Sequence, residues 1–194
     1  MRRYIVTGAP GAGKTAIIRQ LELDGFSVVE EAATDVIALW HANGITEPWT
    51  RPEFIETIVR LQQTRERRAA SISDFVQFHD RSVICTAALA EYLAFQMPES
   101  LVNELQRVKR DNVFQRKVFF LRNLGFVTHT EARRISYEET VRFEGIHERT
   151  YRDLGFEIAS IGPGSVADRV REIKRMLSLT ELDQTFDALP HLEV

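Results

Sequence analysis

Residues 8–15 read Gly8-Ala9-Pro10-Gly11-Ala12-Gly13-Lys14-Thr15, the pattern G-x-x-x-x-G-K-T. No other stretch of the chain constrains its fold as tightly, because the flanks supply the context the pattern needs. Before it, Arg3-Tyr4-Ile5-Val6-Thr7 has the composition of a short buried strand; after it, Ala16-Ile17-Ile18-Arg19-Gln20-Leu21 has that of a helix. A strand, a glycine loop and a helix in that order turn backbone N–H groups toward an anion, and the helix N-terminus adds partial positive charge. The residues from Gly8 to Ala16 are therefore expected to cradle the phosphates of a nucleoside triphosphate. Lys14 would reach the β- and γ-phosphates, and the Thr15 hydroxyl would ligate Mg²⁺.

Beyond this loop, strand-like and helix-like segments alternate, which predicts a five-stranded parallel sheet covered on both faces: a three-layer α/β architecture. The expected strands are Arg3–Thr7, Phe26–Val29, Phe75–His79, Lys117–Leu121 and the stretch within Gly155–Ile161. Helices are expected over Ala32–Ala42, ending at Asn43-Gly44, and from a Thr50 cap with Pro52 in the first turn to about Ile72. Others are expected over Val83–Phe95, over Glu99–Lys109, after the capping-box spacing Ser136-Tyr137-Glu138-Glu139, and from the Gly162-Pro163-Gly164 loop to about Leu177. The 194 residues suit one domain, about 1–178, followed by an acidic tail, 179–194, expected to dock loosely.

Function classes are narrowed by charge and cysteine usage. A net charge of −3 argues against a general electrostatic grip on nucleic acid or anionic lipid. The single cysteine, Cys85, cannot form an internal disulfide, and no apolar run approaches the ~20 residues of a membrane span. The N-terminus enters a strand with no signal-peptide core. These features lead us to expect a soluble cytoplasmic protein; they say nothing about its oligomeric state.

A second constellation is expected at the same edge of the sheet. Ligands of open α/β sheets sit beyond the carboxyl ends of the strands, so Asp80-Arg81-Ser82, closing the third strand, should lie beside the phosphate loop. Asp80 could hold Mg²⁺ or take a proton from an attacking hydroxyl, and Arg81 could stabilise charge on a transferred phosphoryl group. Glu30 and Glu31 close the second strand on the same rim, where they either contact an acceptor or favour the next helix through its dipole. The aperiodic stretch Leu124–Arg134 carries His129, Arg133 and Arg134. Two arginines just before a helix start oppose its dipole, which suggests a short lid folding them over the phosphates.

At these residues the chain resembles the small P-loop ATPase domains grouped under the AAA label. That group is close to the ATP-binding half of nicotinamide riboside kinases and to nucleoside and nucleotide kinases. The resemblance is carried by Gly8–Thr15, Val28-Val29-Glu30-Glu31-Ala32, Asp80-Arg81-Ser82 with Ile84-Cys85-Thr86, Arg133 to Glu139, Phe143-Glu144, His147-Glu148, Tyr151 and Leu154-Gly155-Phe156. It spans about residues 3–178. It implies a nucleotide-kinase-like fold, a lid arginine at Arg133 or Arg134, and a purine-contacting loop near Gly162–Val166, with Gly162 and Gly164 in it. The second acidic strand, sensor arginines and helical lid domain of ring-forming ATPases are absent from the sequence.

Together these features lead to an expectation of a small-molecule kinase. It would pass the γ-phosphoryl group of Mg²⁺·ATP to a nucleoside-, nucleotide- or riboside-like acceptor near Glu30, Glu31 and Asp80. The rival expectation is a regulatory switch that binds or slowly hydrolyses ATP or GTP; the lack of an N-K-x-D pattern tilts the choice toward ATP. Weaker features are expected to be structural. Arg60, Gln63, Arg67 and Arg68 share a solvated helix face. The five histidines, His41, His79, His129, His147 and His191, lack metal-ligand spacing. Cys85 packs in the core, and Trp40 and Trp49 close it.

Overall fold

The computed structural model describes residues 1–71, 74–124 and 137–187. Five strands, β1 (Arg2–Thr7), β2 (Ser27–Val29), β3 (Val76–Asp80), β4 (Lys117–Leu121) and β5 (Glu157–Ile161), pair in parallel in the order β2-β3-β1-β4-β5. The helices are α1 (Lys14–Leu23), α2 (Ala33–Ala42), α3 (Glu53–Ala69), α4 (Val83–Tyr92), α5 (Glu99–Arg110), α6 (Tyr137–Asp153) and α7 (Val166–Asp187). This is the expected three-layer α/β fold, with the glycine loop joining central β1 to α1.

Period-two alternation along the strands divides the core. Tyr4 and Val6 of β1, Phe78 of β3 and Phe119 and Leu121 of β4 face one side, where Ile17 and Leu21 of α1 and Ile173 of α7 cover them. Ile5, Val118 and Phe120 face the other, beneath Ile55 and Val59 of α3, Ile84 of α4, Leu101 of α5 and Tyr151 of α6. Tyr4, Phe78 and Phe119 form a mutually tilted triangle with centroids 5.7–6.2 Å apart. Strands buried on both faces read as nearly continuous apolar runs, which is why β1 and β4 stand out in the sequence.

Several element ends differ from expectation. Thr50 belongs to a 3₁₀ turn, Pro48–Thr50, and its hydroxyl donates to the Glu47 carbonyl instead of capping α3, which starts at Glu53 and stops at Ala69. Helix α4 ends at Tyr92, two residues before Ala94, whose φ of 56° cannot continue a helix. The last helix runs past Leu177 to Asp187. The expectations for His129, Arg133, Arg134, the Ser136 cap and His191 fall outside the described residues; of the expected lid, only Leu124 is described.

The loop is pressed against the sheet at Gly8, where φ is 140° and an added Cβ would lie 2.3 Å from the Leu121 carbonyl oxygen. No side chain fits there without moving β1 away from β4. Gly8→Ala is expected to lower stability by at least about 2 kcal/mol. Urea unfolding of the two proteins measures this, and a loss below about 0.5 kcal/mol would contradict the close approach.

Candidate functional site

The loop rises from β1 and closes on itself through an Ala12 N–H to Ala9 carbonyl hydrogen bond of 3.2 Å. Ala9 and Ala12 are fully buried and form its inner wall; Gly11 and Gly13, with φ of 84° and 77°, make the turns that larger residues resist. Lys14 is buried, its Nζ donating to the Ala9 carbonyl at 2.9 Å. Thr15 and Ala16 are exposed at the start of α1. Behind the loop, Arg169 of α7 is buried and donates to the Ala12 carbonyl at 2.8 Å, while its Nε has no partner among the described residues. Burial pulls its basicity below the ordinary arginine value. This brace escapes sequence reading, because 157 residues separate its partners.

In front of the loop lies an open cavity of about 520 Å³. One end is formed by Pro10, Lys14, Thr15, Asp80 and Arg81; the other is an apolar chamber of Ile37, Trp49, Phe54, Ile58, Leu89 and Phe143. The topology causes the meeting. β3 neighbours β1, so its last residue, Asp80, pairs in register with Val6 just ahead of the loop. The Arg81 N–H donates to the Val6 carbonyl at 3.0 Å, and Ser82 caps α4 by accepting from Ile84 N–H at 3.3 Å. Arg81 sits at φ 69°, strained for a non-glycine residue, at the point where the chain turns from strand to helix.

Asp80 Oδ1 is buried with no hydrogen-bond partner among the described residues. Burial pushes its carboxyl above the ordinary range, opposed by the positive charges of Lys14 and Arg81. An orphaned carboxylate oxygen in the same cavity as the Thr15 hydroxyl fits a hard divalent cation, which prefers oxygen donors. Among the described residues no cluster of three metal-ligating side chains occurs, so phosphate and water oxygens would have to complete such a shell.

The two glutamates after β2 part company. Glu30 turns outward, its carboxylate 2.6 Å from Arg19 Nη2, and does not line the cavity. Glu31 lines it, and its two oxygens accept the Ala33 and Thr34 N–H groups at 2.8 Å each. Both readings of the pair thus fall on Glu31, which faces the cavity and anchors the start of α2. Gly162 and Gly164 are exposed in the β5–α7 loop and do not line the cavity. An added Cβ on Gly164 would sit 3.8 Å from Arg169, so that loop reaches the back of the phosphate cradle through this side chain.

Other side chains fall partly where the sequence suggests. Trp40 and Trp49 both pack against the core cluster of Ala32, Val36, Phe54 and Ile58, as expected; Trp40 meets Phe54 edge-on, and Trp49 also lines the cavity. Gln63 is tied to Glu104 at 3.0 Å. Cys85 is buried, as expected, yet borders the cavity, and its sulfur lies 3.1 Å from Thr7 Oγ1 and 3.0 Å from the Tyr151 hydroxyl. At the cavity floor, Thr86 Oγ1 donates to Gln62 Oε1 at 2.9 Å. Gln62 carries no signal in the sequence, and Thr86 and Phe143, though among the residues that carry the family resemblance, have no local feature that assigns them to a cavity until α3, α4 and α6 meet.

Because its folded carboxyl titrates higher than the ordinary Asp value of 3.8, Asp80 destabilises the fold once ionised. Its contribution is fully favourable below pH 3.8 and is lost as pH rises through the raised folded value. Asp80→Asn is therefore expected to melt at or above the wild-type temperature at pH 7, with the difference shrinking toward pH 4. Thermal unfolding across pH checks this; a variant less stable than wild type at pH 7 would contradict it.

Comparison with known proteins agrees with this geometry. A deoxyadenosine kinase from M. mycoides, solved with products dCMP and a flexible dCDP bound, superposes with a TM-score of 0.62 at 12% identity, over 91% of this chain and 98% of that one. The NadR protein in complex with NAD and AMP-PNP gives 0.65 at 17% identity, over 100% of this chain and 52% of that one. NadR in complex with NR gives 0.58 at 18%, over 82% and 43%. The present chain thus spans about half of NadR, and at these identities the likeness is one of fold, that of P-loop nucleoside kinases. No curated protein matches the chain. The family model described as an AAA domain matches residues 3–169, and with the phosphate loop and sheet order in place the chain belongs to that AAA domain family.

Proposed function

We propose that this protein is a Mg²⁺·ATP-dependent kinase that phosphorylates a hydroxyl group of a small nucleoside- or riboside-like acceptor. One observation carries the reading: a single cavity joins the phosphate loop, Asp80 and Arg81 to a chamber walled by Trp49, Phe54 and Phe143. A switch that only bound and released nucleotide would not need an apolar chamber opening onto its phosphates. The deoxyadenosine kinase and NadR folds, solved with nucleotides and with NR, support the same class of chemistry.

The residues divide the work along the cavity. The loop N–H groups and Lys14 hold the triphosphate, and Thr15 with Asp80 would hold Mg²⁺. Bound with ATP, the ion would offset negative charge that builds up on the transferred group. Arg81 supplies a second positive charge on the acceptor side. Glu31 is held in place by two backbone N–H groups and keeps lone pairs with which to accept the acceptor hydroxyl's proton. The apolar walls hold a planar ring and exclude water, which limits hydrolysis. Arg133 and Arg134 remain candidate lid arginines on the strength of the sequence.

Charge favours an acceptor without a phosphate of its own. Glu31, Glu47 and Glu139 line the acceptor side, and among the described lining residues only Lys14 and Arg81 are cationic. A nucleoside monophosphate would bring two negative charges into this carboxylate rim, whereas a neutral or cationic nucleoside would not.

A labelled-ATP screen of nucleosides, ribosides, nucleotides and sugars tests the reading. Transfer above the hydrolysis background is expected for a nucleoside or riboside, with monophosphates poorer. Lys14→Ala is expected to abolish nucleotide binding in a folded protein. Glu31→Gln should lower transfer at least about 100-fold while sparing ATP affinity, as loss of a general base does. Glu30→Gln should stay within about threefold. A flat screen with the wild-type protein bound to ATP would overturn the kinase reading in favour of a regulatory NTPase.

A further inference from the structure

Arg81 is the cation that faces the acceptor side, and its guanidinium is held in an unusual way. Its Nη1 lies 3.2 Å from Nε2 of His147, which is fully buried on α6. The other ring nitrogen, Nδ1, lies 3.1 Å from the Phe143 carbonyl oxygen. A carbonyl can only accept, so Nδ1 carries the hydrogen, and Nε2 is left with a lone pair that accepts from Arg81. Burial, helped by the Arg81 charge, keeps the imidazole neutral far below its ordinary value. The ring is fixed from behind as well: Phe143 packs edge-on to it at 4.2 Å, and Tyr92 packs on Phe143 at 4.7 Å.

We propose that His147 is a positioning residue that aims the Arg81 guanidinium at the transferring phosphoryl group without neutralising it. The choice of partner matters. A carboxylate at this place would orient Arg81 equally well but cancel the charge the cavity needs; a neutral imidazole orients it and leaves the charge whole. The neighbouring Asp80 does not take over the role: among the described residues the Arg81 guanidinium hydrogen-bonds His147, and no hydrogen bond or ion pair joins it to the Asp80 carboxylate. The strained backbone of Arg81 is consistent with a side chain whose direction is imposed from outside its own turn. Because Phe143 walls the chamber, the same unit links acceptor contact to the aim of the guanidinium.

The inference rests on the proposed kinase reading for the role of Arg81, and its test needs no identified acceptor. Affinity for Mg²⁺·ADP is measured by calorimetry with and without aluminium fluoride, which stands in for the phosphoryl group in flight. In the wild type, aluminium fluoride is expected to tighten ADP binding at least about tenfold. His147→Leu should abolish that tightening while leaving affinity for ADP alone within about twofold. His147→Gln, whose carbonyl can accept from Arg81, should restore most of it. If His147→Leu does not fold, His147→Asn, too short to reach the guanidinium, replaces it in the same comparison. Equal tightening in all variants, no rescue by glutamine, or no tightening in a wild type that binds ADP overturns this inference alone. A wild type that binds no ADP overturns the kinase reading instead.

Discussion

The site depends on the approach of the backbone at residue 8 to the β4 carbonyl at Leu121. Because nothing projects from Gly8, β1 can hand the chain to the loop while still paired with β4, and the loop lands at the carboxyl edge of the sheet. From there each further placement follows in turn. β3 is the other neighbour of β1, so Asp80 arrives beside the loop, and the turn after it must present Arg81. β2 lies one strand farther out and delivers Glu31 to the cavity wall. Parallel strands all end at the same edge, so four separate segments converge there without any long loop.

The electrostatics of that edge run against stability. Lys14, Asp80 and Arg81 are gathered in a partly dry space, and among the described residues an oxygen of Asp80 finds no hydrogen bond. Arg169, on the reverse side of the loop, is a buried cation whose Nε likewise finds no partner among the described residues. Desolvated groups of this kind cost the fold free energy, and they are the kind that cluster at ligand sites. The surrounding core holds them in place. The Tyr4–Phe78–Phe119 triangle under the loop is buried and closely packed, and the Thr7–Cys85–Tyr151–Ser82 network beside it is buried and hydrogen-bonded. A rigid, well-packed base carries a strained and under-partnered rim.

Helix α6 connects features that otherwise look unrelated. It packs Tyr151 into the core, turns His147 toward Arg81, walls the cavity with Phe143, and offers Glu144 and Glu148 to Arg122 at the end of β4. It begins directly after residues 125–136. Phe143 in the cavity wall and the hydrogen-bond partner of Arg81 thus sit on one helix, a single turn apart.

The sequence by itself determined the phosphate loop, the α/β class and most of the elements, since all three are local signals. Glycine spacing sets the loop, apolar runs mark the buried strands, and Gly44 and Gly155 stop helices through their left-handed backbones. It also placed Asp80 and Arg81, because a parallel sheet has one binding edge. It misjudged ends where tertiary contacts override local preference, as at Thr50, whose hydroxyl found a carbonyl in a 3₁₀ turn. Only the tertiary structure separated Glu31 from Glu30, set Trp49 against the cavity, brought Gln62 and Arg169 to the site, and showed what Thr86, Phe143 and His147 touch there. The physical reason is range. A helix residue's face is fixed by its period, but what that face meets depends on the packing of helices scores of residues apart, for which the chain carries no local mark.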